Sequence, residues 1–322
     1  TSKLPNFVSI HHGTVMKQAT GWKRKLTELA TGKVLFDECM DRHTSIGVGG
    51  RADALVFPES VAELGRIVAF LRAEGISLFF VGNGTNLIVR DNGFRGVIVS
   101  TKGLRAVRVE GREEGRAAIL AEAGASLAEV VALTARETLT GMEFCAGIPG
   151  SVGGGIRMNA GAYGSELKDV IESVDLLNGE GNIKSCKREA LQFQYRDLAL
   201  PEGACVAGGV FVLARGNRDA VEGRIREILR TRSGKHPLQY RNAGSIFKNP
   251  KGVPAGKIID EAGLKGVRIG GAQVSELHGN FIVNLGSATA RDIIGLIELV
   301  QQKVLETKGI ALEPEVKIIG EE

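Results

Sequence analysis

The chain is short of the features that mark several large classes of protein. Four cysteines, Cys39, Cys145, Cys186 and Cys205, are spread over 322 residues, and no two stand at C-x-x-C spacing. A chain this long closes its own core without disulfide staples, so buried free thiols are expected. No apolar run reaches the ~18 residues that span a bilayer, and the first residues hold no apolar signal core. A membrane protein is therefore not expected, and a cytoplasmic location is. The five histidines, His11, His12, His43, His236 and His278, never pair at i, i+4 within a helix beside a carboxylate, so no metal site is expected. Neither G-x-x-x-x-G-K-[ST] nor G-x-S-x-G occurs, which excludes P-loop nucleotide hydrolysis and argues against the common hydrolase elbow. The formal charge of +4 comes without a dense basic block. Around Arg224–Arg232, arginines interleave with Glu222, Glu227 and apolar residues, which reads as a solvated helix face and not as a nucleic-acid site.

Glycine is what the chain has in excess. Its 44 glycines are about twice the usual share of ~7%. They cluster instead of repeating, which points to tight turns and to loops where backbone must approach a ligand closely. Gly47-Val-Gly49-Gly-Arg-Ala52 has the letters of a dinucleotide fingerprint but not its context, with no clear strand before it and no helix after it. Gly82-Asn83-Gly84-Thr85-Asn86-Leu87 is more informative. It follows a predicted strand and would expose several backbone N–H groups with no Cβ in the way, an arrangement suited to a pyrophosphate; a plain tight turn is the alternative. Gly147-Ile148-Pro149-Gly150-Ser151-Val152-Gly153-Gly154-Gly155 is a second such loop. Two of them in one half suggest a long, two-phosphate ligand held between them.

Periodicity supplies the elements. Ser60 and Glu63 form a predicted capping box, followed by Val61, Leu64, Ile67, Val68 and Leu71 at helical spacing up to Gly75. Ser126 and Glu129 open a second helix closed by Gly141, and a third starts near Asp219 with Glu222 three residues on. Ala255–Glu261 is a short helix closed by Gly263. Thr289 caps a long one, with Ile293, Ile294, Ile297, Val300 and Val304 on one face and Gly309 at its end. Strands are predicted at Ile76–Val81, Val97–Val99, Ala106–Glu110, Ala117–Ala121, Ser173–Leu177, Val210–Ala214, Phe281–Leu285 and Glu315–Ile319. The sum is an α+β chain with a boundary near residue 217 and an irregular or partly helical extension over residues 1–25.

Taken together, several stretches resemble the UDP-N-acetylenolpyruvoylglucosamine reductase family. They are His43-Thr-Ser-Ile-Gly-Val-Gly-Gly-Arg-Ala-Asp53, Val81-Gly-Asn-Gly-Thr-Asn-Leu87, Gly147-Ile-Pro-Gly-Ser-Val-Gly-Gly154 and Met158-Asn-Ala-Gly-Ala-Tyr-Gly164. Tyr195-Arg196, Gly244-Ser-Ile-Phe-Lys-Asn-Pro250, Ala262-Gly-Leu-Lys-Gly266 and Pro314-Glu-Val316 follow in family order. The resemblance implies an FAD-binding fold of the vanillyl-alcohol-oxidase type over residues 26–217, in two α+β subdomains split near residue 100. A C-terminal α+β substrate domain would occupy 218–308, and a strand in 309–322 would return to the flavin. Only 48 residues lie between Arg196 and Ser245, as in the shorter type that lacks a tyrosine-bearing insertion. Tyr240-Arg241 stands where Tyr-Pro is usual, which leaves contacts at the uridine or sugar end open.

The same resemblance implies the chemistry. NADPH would reduce FAD, and the reduced flavin would reduce UDP-N-acetylglucosamine enolpyruvate to UDP-N-acetylmuramate. Arg196 matches the family's arginine for the substrate carboxylate, Ser245 its proton donor and Glu315 its third catalytic residue. The cofactor-binding set would be Gly82, Asn83, Gly84, Thr85, Asn86, Leu87, Gly147, Ile148, Pro149, Gly150, Ser151, Gly153, Gly154, Asn159, Ala160 and Gly161. Tyr195, Lys235, Gly244, Asn249 and Gln273 would meet the substrate. A monomer is expected. Two other readings stand beside this one: an FAD-dependent oxidase of a sugar or alditol on the same fold, and a non-catalytic nucleotide-sugar-binding protein.

Overall fold

Three sheets carry the chain. The computed structural model describes residues 12–111 and 115–322, with side chains from residue 21 onward. Among the described residues the helices are α1 (His12–Leu29), α2 (Val61–Ala73), α3 (Leu127–Arg136), α4 (Val152–Arg157), α5 (Arg218–Lys235), α6 (Ala255–Glu261) and α7 (Ala290–Lys308). The first sheet runs Val34–Cys39, Arg51–Val56, Phe94–Ser100, Leu78–Val81 in spatial order. Its last three strands are mutually parallel. Central parallel strands are covered on both faces and read as continuous apolar runs. Val97 and Val99 accordingly pack with Leu64, Ile67 and Leu71 of α2, while Ile98 faces Met40 and Leu87 on the other side.

The chain leaves this sheet at Ser100 and begins the second at Val107. The second sheet is antiparallel, with Cys205–Arg215 at its centre between Ile171–Leu177 and Arg116–Glu122. Leu127 and Val130 of α3, Val152 and Ile156 of α4, and Ile228 of α5 bury against it. The third sheet orders Arg241–Ser245, Phe281–Asn284, Ala272–Val274 and Arg268–Ile269 beneath α6 and α7. Finally, Lys317–Ile319 pairs in parallel with Leu87–Val89, so the last described strand lies against the first half of the chain.

Local signals explain most element ends, and several differ from the expectation. Ser126 and Glu129 form a reciprocal capping box at α3, as do Thr289 and Asp292 at α7. Gly309 ends α7 in the left-handed region at φ 66°, where a Cβ is disfavoured. At α2 only half of the predicted box forms. Ser60 Oγ accepts from Glu63 N–H, but the Glu63 carboxylate turns to Thr31, Gly32 and Glu59 instead. The cap of α5 is Asn217, two residues before Asp219. The helix α3 stops at Arg136, and the short strand Leu139–Thr140 precedes Gly141.

The extension is helical from His12, and Leu26 is buried in the first core; residues 1–11 lie outside the described residues. The expected boundary at 217 falls just before α5, yet α5 packs its Ile228 and Ile225 on the second sheet's core. Cys145 and Cys205 are buried as expected, whereas Cys39 and Cys186 are half-buried.

Two omissions matter for the site. A strand, Val34–Cys39, does precede the Gly47–Ala52 segment, and a second, Arg51–Val56, overlaps and follows it. The glycines at 153–155 sit in α4, not in a loop. Ser151 Oγ caps that helix by accepting from Gly154 N–H at 3.3 Å. A Cβ on Gly153 would stand 2.7 Å from Ala123 Cβ, and one on Gly155 would stand 3.1 Å from both Leu127 and Leu167. These glycines allow the helix to lie close on the second sheet.

Candidate active site

A cleft of about 640 Å³ opens where the three sheets meet. That volume is in the range of sites that enclose whole organic ligands. Both glycine-rich segments line it, through Gly82, Gly84, Thr85, Asn86 and Leu87 on one side and Ile148, Pro149, Gly150, Ser151, Gly153 and Gly154 on the other. They touch each other: Thr85 Oγ1 donates to the Pro149 carbonyl at 3.4 Å, and a Cβ on Gly82 would meet Ser151 Oγ at 2.2 Å. Gly84 has φ 68° and lies so near the His43 carbonyl that a Cβ would stand 2.0 Å from it. Ala160 and Gly161 line the same cleft.

Arg196, Gly244, Ser245 and Glu315 line it too. Arg196 sits at the tip of a two-strand hairpin, Phe193–Gln194 against Asp197–Leu198, with φ 58°. A non-glycine residue in that region is strained and needs surrounding support. Both legs are tied to the end of α4. Asn159 Nδ2 donates to the Gln194 carbonyl at 3.0 Å, and Arg157 donates to the Leu198 carbonyl at 2.7 Å and pairs with Asp197. The Arg196 Nε lies 3.5 Å from Glu315 Oε2 and, although buried, makes no hydrogen bond among the described residues.

Glu315 arrives on the C-terminal segment. Its backbone N–H donates to the Ile246 carbonyl at 2.7 Å, and its own carbonyl accepts from Asn86 Nδ2 at 3.1 Å. Burial pushes its carboxyl above the ordinary range, opposed by the positive charges of Arg196 and Lys248. The charged groups acting on it are thus cations and not a second carboxylate. Ser245 ends a strand at the residue paired with Phe281, just after a bulge in which Gly244 takes φ 73°. Among the described residues its hydroxyl has no hydrogen-bond partner.

Other expected residues lie elsewhere. The Asn159 side chain is wholly buried and engaged with Glu166, Gln194 and Lys168. Asn249 Oδ1 accepts from Ala255 N–H at the start of α6. Gln273 lines a separate hollow with Tyr240, Arg268 and Glu276. Asn83, Gly147, Tyr195 and Lys235 are also absent from the cleft wall, although each adjoins a residue that lines it.

Conversely, the wall contains Arg72, Arg157, Arg232, His236 and Lys317, which sequence reasoning missed. With Arg196 that makes five Arg and Lys side chains against one carboxylate, a field suited to phosphates. Burial first, and then Arg232, His278 and Lys235, push the His236 imidazole down to about 4, so it is neutral at pH 7. The i, i+4 spacing of Arg232 and His236 at the end of α5 was the available signal.

Comparison with known proteins bears directly on this arrangement. The family model for the C-terminal domain of UDP-N-acetylenolpyruvoylglucosamine reductase matches residues 236–319. A UDP-N-acetylenolpyruvoylglucosamine reductase of Syntrophus aciditrophicus is 51% identical over 300 residues, 93% of this chain and 96% of that one. The chain belongs to the UDP-N-acetylenolpyruvoylglucosamine reductase family. A second family member, from Caldanaerobacter subterraneus, is 48% identical over 92% of this chain and 97% of its own length. The crystal structure of the family member from Thermus caldophilus superposes with a TM-score of 0.74 at 34% identity, covering 89% of this chain and 98% of that one. An FAD binding domain matches residues 52–187, so the α+β fold carries the flavin-binding half expected from the sequence. The C-terminal family match begins at His236, immediately after α5. Among the described residues no helix is long and apolar enough to cross a membrane.

Proposed function

We propose that this chain is an FAD-containing oxidoreductase that reduces UDP-N-acetylglucosamine enolpyruvate to UDP-N-acetylmuramate at the expense of NADPH, a step in peptidoglycan precursor synthesis. The observation that carries the reading is the convergence of Arg196, Ser245 and Glu315 on the cleft walled by both glycine-rich segments. Close-set backbone at 82–87 and 147–154 and an excess of cationic side chains fit a ligand with a pyrophosphate. Bound FAD supplies hydride transfer, from NADPH to the methylene carbon of the enolpyruvyl group.

The protein's own part is to manage the charge and the proton. Addition of hydride leaves negative charge on the neighbouring carbon and its carboxylate. Arg196, always charged and planar, grips that carboxylate; among the described residues its buried Nε has no hydrogen-bond acceptor. The Ser245 hydroxyl delivers a proton to the carbon, a task a weak acid can perform because the carbon is strongly basic. Glu315, whose carboxyl burial raises against the pull of Arg196 and Lys248, assists at the same carbon by feeding the proton or polarising the developing enol. Tyr195, Lys235, Gly244, Asn249 and Gln273 are assigned to the nucleotide-sugar side, with Gln273 in the hollow beside Tyr240. We assign the flavin to residues 26–217 together with α5, which packs on the second sheet's core, the substrate to the rest of 218–308, and the return of Glu315 to 309–322. The reaction is placed in the cytoplasm, on a monomer.

An anaerobic visible spectrum with sequential additions tests the reading. A flavin band bleached by NADPH and restored by UDP-N-acetylglucosamine enolpyruvate is expected. A band restored only by oxygen would favour a sugar or alditol oxidase, and no band after incubation with FAD would leave only a binding protein.

A further inference from the structure

The residues flanking Ser245 are held by a side chain that the chemistry itself does not need. Asn280 is 3% exposed, and its carboxamide makes two hydrogen bonds to one residue. Its Oδ1 accepts from Phe247 N–H at 2.9 Å, and its Nδ2 donates to the Phe247 carbonyl at 2.8 Å. The Asn280 backbone carbonyl accepts from Ile246 N–H at 2.9 Å as well. The strand that ends at Ser245 therefore continues, in hydrogen-bonding terms, for two more residues, with a side-chain amide standing in for a peptide group.

The opposite edge of the same segment is laced to the stretch that bears Glu315. Glu315 N–H donates to the Ile246 carbonyl, Lys248 N–H donates to the Glu313 carbonyl at 2.9 Å, and Phe247 bridges Pro314. Residues 246–248 thus form a narrow ribbon with Asn280 on one side and Glu313–Val316 on the other. Ser245 leads into the ribbon, and Glu315 hangs from its far edge.

We infer that Asn280 is a positioning residue for the proton-delivering pair, setting Ser245 and Glu315 in register with each other through the backbone of Phe247. This rests on the roles proposed above for Ser245 and Glu315. Asn280 is not among the residues that line the cleft. Its removal acts on the step that needs a proton and leaves the flavin's reduction by NADPH alone. A displacement of about 1 Å at a reacting group costs on the order of a hundredfold in rate.

The test uses the full chain with FAD bound, in an anaerobic stopped-flow instrument that times the two half-reactions separately. Asn280→Ala removes both hydrogen bonds. Asn280→Asp keeps the acceptor for Phe247 N–H, loses the donor to Phe247 C=O, and serves if the alanine variant does not fold. The expected result is unchanged reduction by NADPH, reoxidation by the enolpyruvyl substrate slower by on the order of a hundredfold, and a larger solvent deuterium isotope effect on that reoxidation. Parallel loss of both half-reactions with loss of flavin, or no change in either, overturns the inference while wild-type turnover stands. A wild-type enzyme that the substrate does not reoxidise overturns the functional reading, and the positioning role falls with it.

Discussion

Arg196 and Glu315 face each other across the cleft with Nε and Oε2 at 3.5 Å, one on a hairpin tip tied to α4 and the other on the strand-bearing C-terminal segment. Neither half of the molecule contains the pair alone. The hairpin anchors from Arg157 and Asn159 support the strained backbone of Arg196, so its placement does not depend on the pairing with Glu315 alone. Arg196→Ala should therefore cost on the order of 3–4 kcal/mol of transition-state stabilisation, read as a fall in the rate of substrate-driven flavin reoxidation. Arg196→Lys should recover only part of it, because an ammonium lacks the planar fork. A rate equal to wild type in the alanine variant would remove Arg196 from the chemistry.

Ser245→Ala separates the two half-reactions. Bleaching of the flavin by NADPH should proceed as in wild type, and its recovery on adding the enolpyruvyl substrate should stop. The hydroxyl makes no internal hydrogen bond among the described residues, so its loss should leave the melting temperature close to wild type.

Glu315 sets an expected pH dependence. Its carboxyl is raised by burial, so the protonated form persists above the ordinary carboxylate range and is lost as pH climbs through the shifted value. If that proton supports turnover, the rate of reoxidation falls on the alkaline side of the same transition. Glu315→Gln keeps a neutral donor at the position and should flatten that limb. For stability the sign is the same: a raised carboxyl contributes stability below its unfolded pKa and loses it as pH rises through the folded one. The melting temperature of Glu315→Gln relative to wild type should then increase with pH.

Glu63 is a structural counterpart. Its buried carboxylate accepts from Thr31 N–H and Oγ1, Gly32 N–H and Glu59 N–H. Burial alone would raise its pKa, but those hydrogen bonds outweigh burial and lower it. Its stabilisation is present above the unfolded carboxyl's pKa and lost as pH falls through the lowered value. Glu63→Ala should reduce stability by about 1–3 kcal/mol for each donor left buried and unsatisfied, measured by denaturant unfolding at neutral pH.

Thiol labelling should sort the cysteines. Burial pushes the Cys145 and Cys205 thiols up to about 12, so neither presents a thiolate near neutral pH. Iodoacetamide should reach those two only on unfolding, while the half-buried Cys39 and Cys186 are the ones open to labelling in the native protein, read by peptide mass.

Legibility followed how local each signal was. Thr289 and Asp292 at one end of α7 and Gly309 at the other are self-contained, and the helix forms between them as predicted. The run of glycines at 153–155 reads as loop from composition. It folds as a helix capped by Ser151, and glycine is required at 153 and 155 because Ala123, Leu127 and Leu167, distant in sequence, crowd the Cβ positions there. The Ser60–Glu63 box failed by halves for the same reason: a better set of donors at Thr31 and Gly32 captured the carboxylate. Arg196, Ser245 and Glu315 were found through family motifs alone. Their common cleft depends on the hairpin at 193–198, the bulge before Ser245 and the pairing of 317–319 with 87–89, none of which composition encodes.

The pairing of Lys317–Ile319 with Leu87–Val89 joins segments made far apart in time during synthesis. A nascent chain that has not reached residue 315 carries both glycine-rich segments and the Arg196 hairpin, but lacks the strand that pairs with Leu87–Val89. It cannot present Glu315, nor the lacing that fixes residues 246–248. The site is therefore complete only once Glu315 and Lys317, which both line the cleft, have been added.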